Sequence, residues 1–296
     1  MKKSIIIFII NILALIACTS NKQNIKPFST IDSTLQVKVE SILQNQLSEF
    51  NATSGQVIVM EVQTGEIKAS AGTEIKPQES GLIRTASLLA ALETKTVHLS
   101  DTIDVGNGIL TIGKDTLLDH NWYKGGYGKI SIQQGFGHSS NIANYKIAKR
   151  TFKDAQTFVK VLAKYGYQVK DTNLVYNPSG YGVFTTPLQN LTFYNAIARG
   201  TISDKAAGND IKRALEYTVT DGLAKPAMSD EVKIAGATGT VQLPNGQYAV
   251  EFCGYFPAVN PQYSVIVSIN KKDKPASGGL MAGAVFKQIA EFLMVK

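Results

Sequence analysis

The order of apolar patterns along the chain most constrains its fold. Residues 35–50 carry apolar side chains at a spacing close to 3.6 and predict a helix, and residues 55–72 predict a β-hairpin that turns at "QTGE". Three more strand patterns lie far downstream, before a last helix over 280–296, and cover residues 232–243, 247–257 and 262–270. Because strands come from both ends of the chain, we expect one antiparallel sheet flanked by the terminal helices.

The middle of the chain predicts a second, helical unit. Its four helical patterns cover residues 81–94, 139–150, 154–166 and 186–200. Residues 101–138 are rich in glycine and are predicted to be irregular. The fold class is therefore α+β, with an all-helical lobe inserted into a sheet lobe. A cleft between two such lobes is the expected place for a ligand.

The first residues predict export. Two lysines precede a short apolar run that ends in "LIAC", which resembles a bacterial lipobox. We expect a signal peptide over 1–17, lipid on Cys18, a polar tether over 18–34 and one domain over 35–296. An uncleaved anchor helix is the alternative. In both cases the domain is predicted to lie in the cell envelope, outside the cytoplasm and attached to a membrane.

Charge and cysteine content exclude several classes of function. The net charge is +7, but the basic residues are scattered, so we expect no nucleic-acid partner. If Cys18 carries lipid, Cys253 has no disulfide partner, and its apolar surroundings predict a buried, unreactive thiol. The three histidines form no cluster with cysteine, so neither a metal nor another cofactor is expected.

Five separate stretches, in order, resemble the transpeptidase domain of penicillin-binding proteins, most closely the class B, cell-division type. They are "GQVIVMEVQTGEIKASAG", "TASLLAALE", "DHNWYKGGYGKISIQQGFGHSSN", "TTPLQNLTFYNAIARG" and "TGTVQ" followed by "FCGYFPAVNPQYSVIVSI". The resemblance implies the serine β-lactamase/transpeptidase fold and, for an intact member, peptidoglycan D,D-transpeptidase activity. In place of the N-terminal pedestal domain of the class B proteins, we expect only the tether.

The resemblance also implies where the chemistry would lie. The family uses a Ser-x-x-Lys motif at a helix start, where residues i and i+3 share one helix face and the lysine activates the serine. A Ser-x-Asn motif and a Lys-Thr-Gly strand complete the site. Here "ESGLIR" places Gly81 at the nucleophile and Arg84 at the base, and Ala237 replaces the lysine of the strand.

Each replacement removes a required group. Gly81 has no hydroxyl to acylate, and loss of a serine nucleophile lowers kcat by roughly 10⁶. Arg84 stays protonated, with a pKa above about 12, so it is not a base. Ala237 lacks the charge that would complement a substrate carboxylate. We therefore predict a pseudoenzyme that binds a peptidoglycan peptide or a cell-wall or division protein.

The other motif positions are retained and are predicted to line the cleft. They are Ser139, Asn141, Thr238, Gly239 and Thr240. Two alternatives stay open from sequence: the serine and asparagine also suit the start of the helix that follows them, and threonines are common in strands.

Two nearby groups of polar and aromatic residues have more than one interpretation. Trp122, Tyr123 and Tyr127 either stack on a ligand or pack on one another. Asp119 and His120 are adjacent, and we expect them to hold a loop by hydrogen bonds rather than to form an acid–base pair.

Two further functions stay open beside the pseudoenzyme. One is an active transpeptidase, carboxypeptidase or β-lactamase that uses another nucleophile such as Ser80, one position before the family's serine. The other is an interaction module whose cleft is closed.

Overall fold

Both ends of the chain contribute to one five-stranded antiparallel sheet, as the strand patterns predicted. The structure is a computed structural model and describes residues 30–295. In chain order its strands are β1 (Ala52–Glu61), β2 (Ile67–Gly72), β3 (Gln78–Glu79), β4 (Thr102–Gly106), β5 (Ile109–Ile112), β6 (Asp115–Leu118), β7 (Gly128–Ser131), β8 (Gln168–Val169), β9 (Val183–Thr185), β10 (Ala235–Gln242), β11 (Tyr248–Phe256) and β12 (Tyr263–Lys271). The main sheet has the order β10-β11-β12-β1-β2, which leaves β10 at one edge.

Helices cover both faces of this sheet. They are α1 (Ser33–Glu49), α2 (Ile83–Glu93), α3 (Ile132–Gly137), α4 (Asn141–Thr151), α5 (Ala155–Lys164), α6 (Pro187–Arg199), α7 (Lys205–Thr220) and α8 (Ala284–Met294). The first and last helices pack together on one face, as the predicted α+β architecture requires. The remaining helices form the inserted lobe on the other face.

The side chains of β1 show how the sheet joins two cores. Val57 and Val59 lie in the apolar cluster that contains α1 and α8. Ile58 and Met60, whose side chains point the opposite way, lie in the cluster that contains α2, α4, α5, α6 and α7. Because both faces are buried, the central strands are mainly apolar on both sides. The free thiol of Cys253 is fully buried in the second of these clusters, as predicted.

Two parts of the helical lobe differ from the sequence prediction. Residues 101–138 were expected to be irregular, but they contain two small antiparallel pairs, β4 with β7 and β5 with β6, and the short helix α3. Helix α7 was not predicted at all, although Asp204 caps its start and its buried residues recur three to four positions apart. Thr116, Leu117 and Leu118 of the β5–β6 pair line a cavity of about 490 Å³.

The membrane predictions fall mainly outside the described part of the chain. The proposed signal peptide, Cys18 and most of the tether precede residue 30. No helix within residues 30–295 is long and apolar enough to cross a bilayer.

Candidate functional site

A cleft of about 740 Å³ lies where the sheet lobe meets the helical lobe. Its lining combines segments that are far apart in sequence: Arg84 from α2, Ser139 and Asn141 before and at the start of α4, and Thr238 and Thr240 from β10. The predicted site residues are therefore brought together in one place, with the exceptions of Gly81, Ala237 and Gly239, which do not line the cleft.

Gly81 lies directly against the edge strand β10. A Cβ atom placed on Gly81 would be 2.9 Å from the Cα atom of Gly239 and 2.9 Å from the backbone nitrogen of Thr240. Real Cβ atoms almost never approach other atoms so closely, and both of these atoms belong to backbone. The start of α2 and the strand can adopt this packing only because neither glycine carries a side chain.

Ser80 points away from the cleft into a buried polar network. Its hydroxyl is fully buried and donates to a carboxylate oxygen of Glu251 at 2.5 Å. The same hydroxyl oxygen accepts from the side-chain amide of Asn190 at 3.1 Å and from the backbone nitrogen of Leu82 at 3.2 Å. The second Glu251 oxygen accepts from Ser268 at 3.1 Å. This network ties the segment before α2 to the centre of the sheet.

Burial raises the pKa of Glu251 to about 7, and the hydrogen bonds from Ser80 and Ser268 oppose that rise. The carboxyl group is 2 % exposed and forms no ion pair within residues 30–295. Sequence reasoning missed this group, although a glutamate in the otherwise apolar strand "YAVEFCGYF" was a visible signal.

Arg84 links the first two motifs. Its Nε donates to the carbonyl oxygen of Gly81 at 3.2 Å, and its Nη1 donates to the carbonyl oxygen of Ser139 at 2.6 Å. Burial lowers the pKa of the guanidinium, although arginine stays protonated in proteins. The side chain thus presents a fixed positive charge at the floor of the cleft.

In the second motif, the residue that caps helix α4 is neither of the two that the sequence suggested. Neither Ser139 nor Asn141 caps α4. The cap is Ser140, whose hydroxyl accepts from the backbone nitrogen of Ala143 and donates to Asp119. Ser139 has φ +53°. Because the capping role belongs to Ser140, helix capping does not account for Ser139 and Asn141.

Asn141 is held at the border of the cleft. Its amide nitrogen donates to the carbonyl oxygen of Leu118 at 2.8 Å, while its side-chain oxygen is buried and has no hydrogen-bond partner. The same residue lines a neighbouring cavity of about 490 Å³, together with Tyr181. Within residues 30–295 this buried acceptor therefore has no donor.

Strand β10 presents alternate residues to the cleft. Thr238 and Thr240 line it, and the Thr240 hydroxyl accepts from the backbone nitrogen of Gly278 at 3.0 Å. Ala237 is 6 % exposed and belongs to the apolar cluster of the helical lobe. The resemblance gave its position a charge-complementing role toward the substrate, but a longer side chain there would start inside the core and not in the cleft.

The loop residues that precede α4 pack mainly on one another. Tyr127 stacks on His138 with ring centroids 4.6 Å apart, and its hydroxyl lies 3.0 Å from Nε2 of His120. Burial raises the pKa of Tyr127 to about 12 and lowers the pKa of both histidines. Trp122 and Tyr123 contact each other edge to face.

Asp119 does not pair with its neighbour His120. It accepts instead from Ser140 and from the backbone nitrogen of Ile142, as the loop hypothesis expected.

Several cleft residues escaped sequence reasoning because they lie in loops without a motif. Tyr181, Leu223 and Lys274 belong to this group, as does the segment from Ala276 to Leu280. The doublet Gly278–Gly279 before the last helix was a usable signal: a Cβ on Gly278 would be 2.6 Å from the Gly239 carbonyl oxygen. Glycine doublets of this kind mark close approaches of backbone segments.

The geometry of three converging motifs agrees with the comparisons to known proteins. A family model described as the penicillin binding protein transpeptidase domain matches residues 55–291. The chain belongs to the penicillin-binding protein transpeptidase family. The five stretches that suggested this family from sequence all lie within the matched range.

Two curated relatives of this transpeptidase-family chain are distant in sequence. Stage V sporulation protein D of Bacillus subtilis is 21 % identical over 88 % of this chain and 52 % of its own length. Penicillin-binding protein PbpB of Mycolicibacterium smegmatis is 22 % identical over 90 % of this chain and 54 % of its own length. The chain spans about half the length of the curated relatives it matches.

Solved structures show the same transpeptidase fold. A peptidoglycan glycosyltransferase from Burkholderia ambifaria superposes with a TM-score of 0.80 at 22 % identity, covering 90 % of this chain and 96 % of that one. The transpeptidase domain of Burkholderia pseudomallei penicillin-binding protein 3 gives 0.78 at 20 % identity, with 88 % and 93 % covered. Penicillin-binding protein 3 of Mycobacterium tuberculosis, complexed with aztreonam, gives 0.79 at 18 % identity, with 90 % and 78 % covered.

Within residues 30–295, no group of three or more His, Cys, Asp or Glu side chains is arranged to hold a metal ion. The ionisable side chains that line the cleft include Arg84, which donates to two carbonyl oxygens, and Lys274, which lies over the ring of Tyr248. The arrangement can therefore present a buried cation, hydroxyl groups and a strand edge to a ligand.

Proposed function

We propose that this chain is a non-catalytic member of the family that binds a peptide non-covalently in the bacterial cell envelope. The peptide belongs to peptidoglycan or to a cell-wall or division protein. The contact between Gly81 and strand β10 carries the proposal. At the position that matches the family's nucleophile there is no hydroxyl, and a side chain of any size would meet the backbone of Gly239 and Thr240.

The residue at the position of the base supports the same proposal. The Arg84 guanidinium donates to two carbonyl oxygens and stays protonated, so it cannot accept a proton from a nucleophile. At the third position, Ala237 is buried in an apolar cluster. The three changes occur where the family's chemistry resides, while the fold around them is retained.

The open cleft favours ligand binding over a closed interaction module. Its volume of about 740 Å³ falls in the range of small-molecule and peptide sites. Ser139, Asn141, Thr238 and Thr240 line it, with Gly239 in the strand between the threonines. Strand β10 is an edge strand, and an edge strand can pair with an extended peptide.

One observation favours an alternative, active enzyme. The Ser80 hydroxyl lies 2.5 Å from Glu251, whose pKa is raised to about 7, and a carboxylate with such a pKa can accept a proton near neutrality. Against this alternative, Ser80 is fully buried and is absent from the cleft lining. An acyl donor in the cleft therefore has no path to this hydroxyl.

A labelled-penicillin experiment separates the two functions. The native full chain is treated with fluorescent penicillin and with unlabelled penicillin followed by intact-mass measurement. We expect no covalent adduct, because Gly81 offers no hydroxyl at the nucleophile position and Arg84 cannot act as the base that would activate one. An adduct on the native protein would defeat the non-catalytic proposal, and its loss in Ser80→Ala but not in Ser87→Ala would establish the alternative.

Binding is tested by thermal unfolding in the presence of purified muropeptides. A ligand that binds only the folded state raises stability, by about 2.7 kcal/mol at a concentration of one hundred times its Kd. We expect the melting temperature to rise with muropeptide concentration. An unchanged melting temperature, with every muropeptide tried at millimolar concentration, would favour the closed interaction module.

The proposal places the domain on a membrane through lipid on Cys18, with residues 18–34 as a tether and residues 35–296 as the domain. The two cysteines provide a matched test in a bacterial host that is fed an alkyne-labelled fatty acid. The full chain and Cys253→Ala should incorporate the label, and Cys18→Ala should not. Labelling of Cys18→Ala, or none of the full chain, contradicts the anchor.

A further inference from the structure

Arg84 is a buried cation without a counter-ion. The residue is 7 % exposed, yet it is absent from all ion pairs closer than 4.0 Å within residues 30–295. A guanidinium has five N–H groups. Two of them donate to the carbonyl oxygens of Gly81 and Ser139, so three have no protein acceptor in the described structure.

No carboxylate forms an ion pair with Arg84 within residues 30–295. Asp119 acts on the charge through space, but it is not within 4.0 Å of the guanidinium nitrogens, and its two oxygens accept from Ser140 and from the backbone nitrogen of Ile142. A buried charge that donates only to neutral carbonyl oxygens and has no counter-ion is unfavourable unless another group pairs with it. An anionic group of a ligand would supply that partner, because Arg84 lines the floor of the cleft.

The charges around the cleft also favour an anionic ligand. Its lining includes Arg84 and Lys274 and contains no aspartate or glutamate. The hydroxyl groups of Thr238 and Thr240 face the same space beside the edge strand. A planar guanidinium matches a carboxylate through two parallel N–H···O bonds, and an edge strand matches an extended backbone.

We propose that Arg84 is the anion-recognition residue of this cleft, and that a carboxylate group of a bound peptide pairs with it. The inference rests on the proposed non-covalent function and names the chemistry of its ligand. It also assigns a role to the residue that stands at the base position of the family. The cation of the cleft comes from helix α2, since position 237 on strand β10 faces the core.

The test uses three small peptides and the native full chain. The probes are N-acetyl-D-alanyl-D-alanine, its C-terminal amide, and N-acetyl-D-glutamyl-D-alanine amide, whose only carboxylate is on a side chain. Isothermal titration calorimetry gives each Kd. We expect at least one carboxylate peptide to bind about tenfold or more tightly than the uncharged amide. Which of the two binds best distinguishes a terminal from a side-chain carboxylate.

Variants then assign that preference to one residue. Arg84→Met removes the charge and keeps the length, and we expect it to bind the acid and the amide alike. Arg84→Lys keeps the charge without the planar fork and should retain part of the preference. Arg199→Met is the matched control, because Arg199 is an exposed arginine at the end of α6 and should leave both affinities unchanged.

The outcomes test the role of Arg84, peptide binding and the non-catalytic proposal separately. Equal binding of acid and amide by the native chain overturns the role of Arg84 but leaves peptide binding intact. If Arg84→Met still binds the acid more tightly than the amide, the role of Arg84 is likewise overturned and peptide binding is left intact. If no peptide binds at all, both the inference and the proposed function fail. If the native chain prefers the acid and also forms a penicillin adduct, only the non-catalytic proposal fails. Should Arg84→Met not fold, the comparison of acid and amide on the native chain decides.

Discussion

Gly81 and Gly239 touch through their backbones, and this contact gives a physical reason for glycine at the position that matches the family's nucleophile. In an active member the side chain at this place must reach the acyl donor. Here the backbone of strand β10 lies where a side chain of residue 81 would begin. Gly278, from the segment before the last helix, also contacts the backbone of Gly239. Three glycines without side chains thus let the segment before α2, strand β10 and the segment before the last helix approach closely.

Replacing Gly81 with alanine should therefore destabilise the fold. The added methyl group would lie 2.9 Å from two backbone atoms of β10, and overpacking of this kind costs about 1–3 kcal/mol. Urea denaturation measures the change. Gly208→Ala is the matched control, since Gly208 lies in helix α7 with open space around it and should gain roughly 0.5–1 kcal/mol. If Gly81→Ala leaves the free energy of unfolding unchanged, strand β10 can shift to make room for the methyl group.

Glu251 should make stability depend on pH. Its pKa is 4.5 in an ordinary environment and about 7 in the folded protein, so between these values the folded state holds the extra proton. The contribution of Glu251 to stability is fully present below about pH 4.5 and is lost as pH rises through about 7. A shift of this size corresponds to about 3 kcal/mol.

The variant Glu251→Gln isolates this effect. His120 and His138, whose pKa values are lowered by burial, change stability in the opposite direction, but they do so in both proteins. We expect the unfolding free energy of the wild type to fall relative to Glu251→Gln between pH 5 and pH 8. A constant difference over that range would contradict the raised pKa of Glu251.

At the scale of secondary-structure elements, the starts of the helices determine where the cleft residues lie. Helix α4 begins at a serine cap, and this cap also holds the Asp119 loop against the helix. Helix α6 begins at Thr186 with a capping box and Pro187 in its first turn. Such local signals are readable in sequence, and the predicted spans of α4 and α6 agree with the structure within two residues at each end.

Two adjacent serines provide a test at this scale. Ser140→Ala removes the cap of α4 and leaves Asp119 without a donor, so we expect a loss of about 2 kcal/mol. Ser139→Ala removes a hydroxyl that forms no hydrogen bond within residues 30–295 and should change stability by less than about 0.5 kcal/mol. Chemical denaturation of both variants measures the contrast. Equal losses would contradict the assignment of the cap.

At the scale of the whole molecule, the cleft exists because two lobes with separate cores meet along one strand edge. Ala237 belongs to the core of the helical lobe, whereas Thr238, the next residue, faces the cleft. Restoring catalysis thus requires changes in packing as well as in residue type.

We therefore expect that Gly81→Ser, Arg84→Lys and Ala237→Lys together do not restore penicillin acylation. The first change meets the backbone of β10, and the third starts a cationic side chain inside an apolar cluster. Their combined effect should exceed about 3 kcal/mol of stability. Fluorescent penicillin and urea denaturation measure both outcomes. A triple variant that is stable and forms a penicillin adduct would contradict this prediction and would show that strand β10 can shift to accept the new side chains.

Local patterns accounted for most of the elements but not for all of them. The helices that begin at Ser33, Ile83 and Ala155 and the three late strands follow periodicities of 3.6 and 2 within a few residues. The small strands of residues 102–131 are too short and Gly-rich to show a period. Helix α7 had the required signals and was missed.

The sequence by itself determined which residue types stand at the motif positions: a glycine, an arginine and an alanine where the family has a serine and two lysines. It also determined most of the helices and the strands of the main sheet, because these depend on neighbours a few positions apart. Only the tertiary structure decided that Gly81 packs against Gly239, that Ser140 and not Ser139 is the cap, and that Arg84 has no counter-ion among residues 30–295. Those facts depend on the register between segments more than one hundred residues apart, or on side-chain directions that no local pattern specifies.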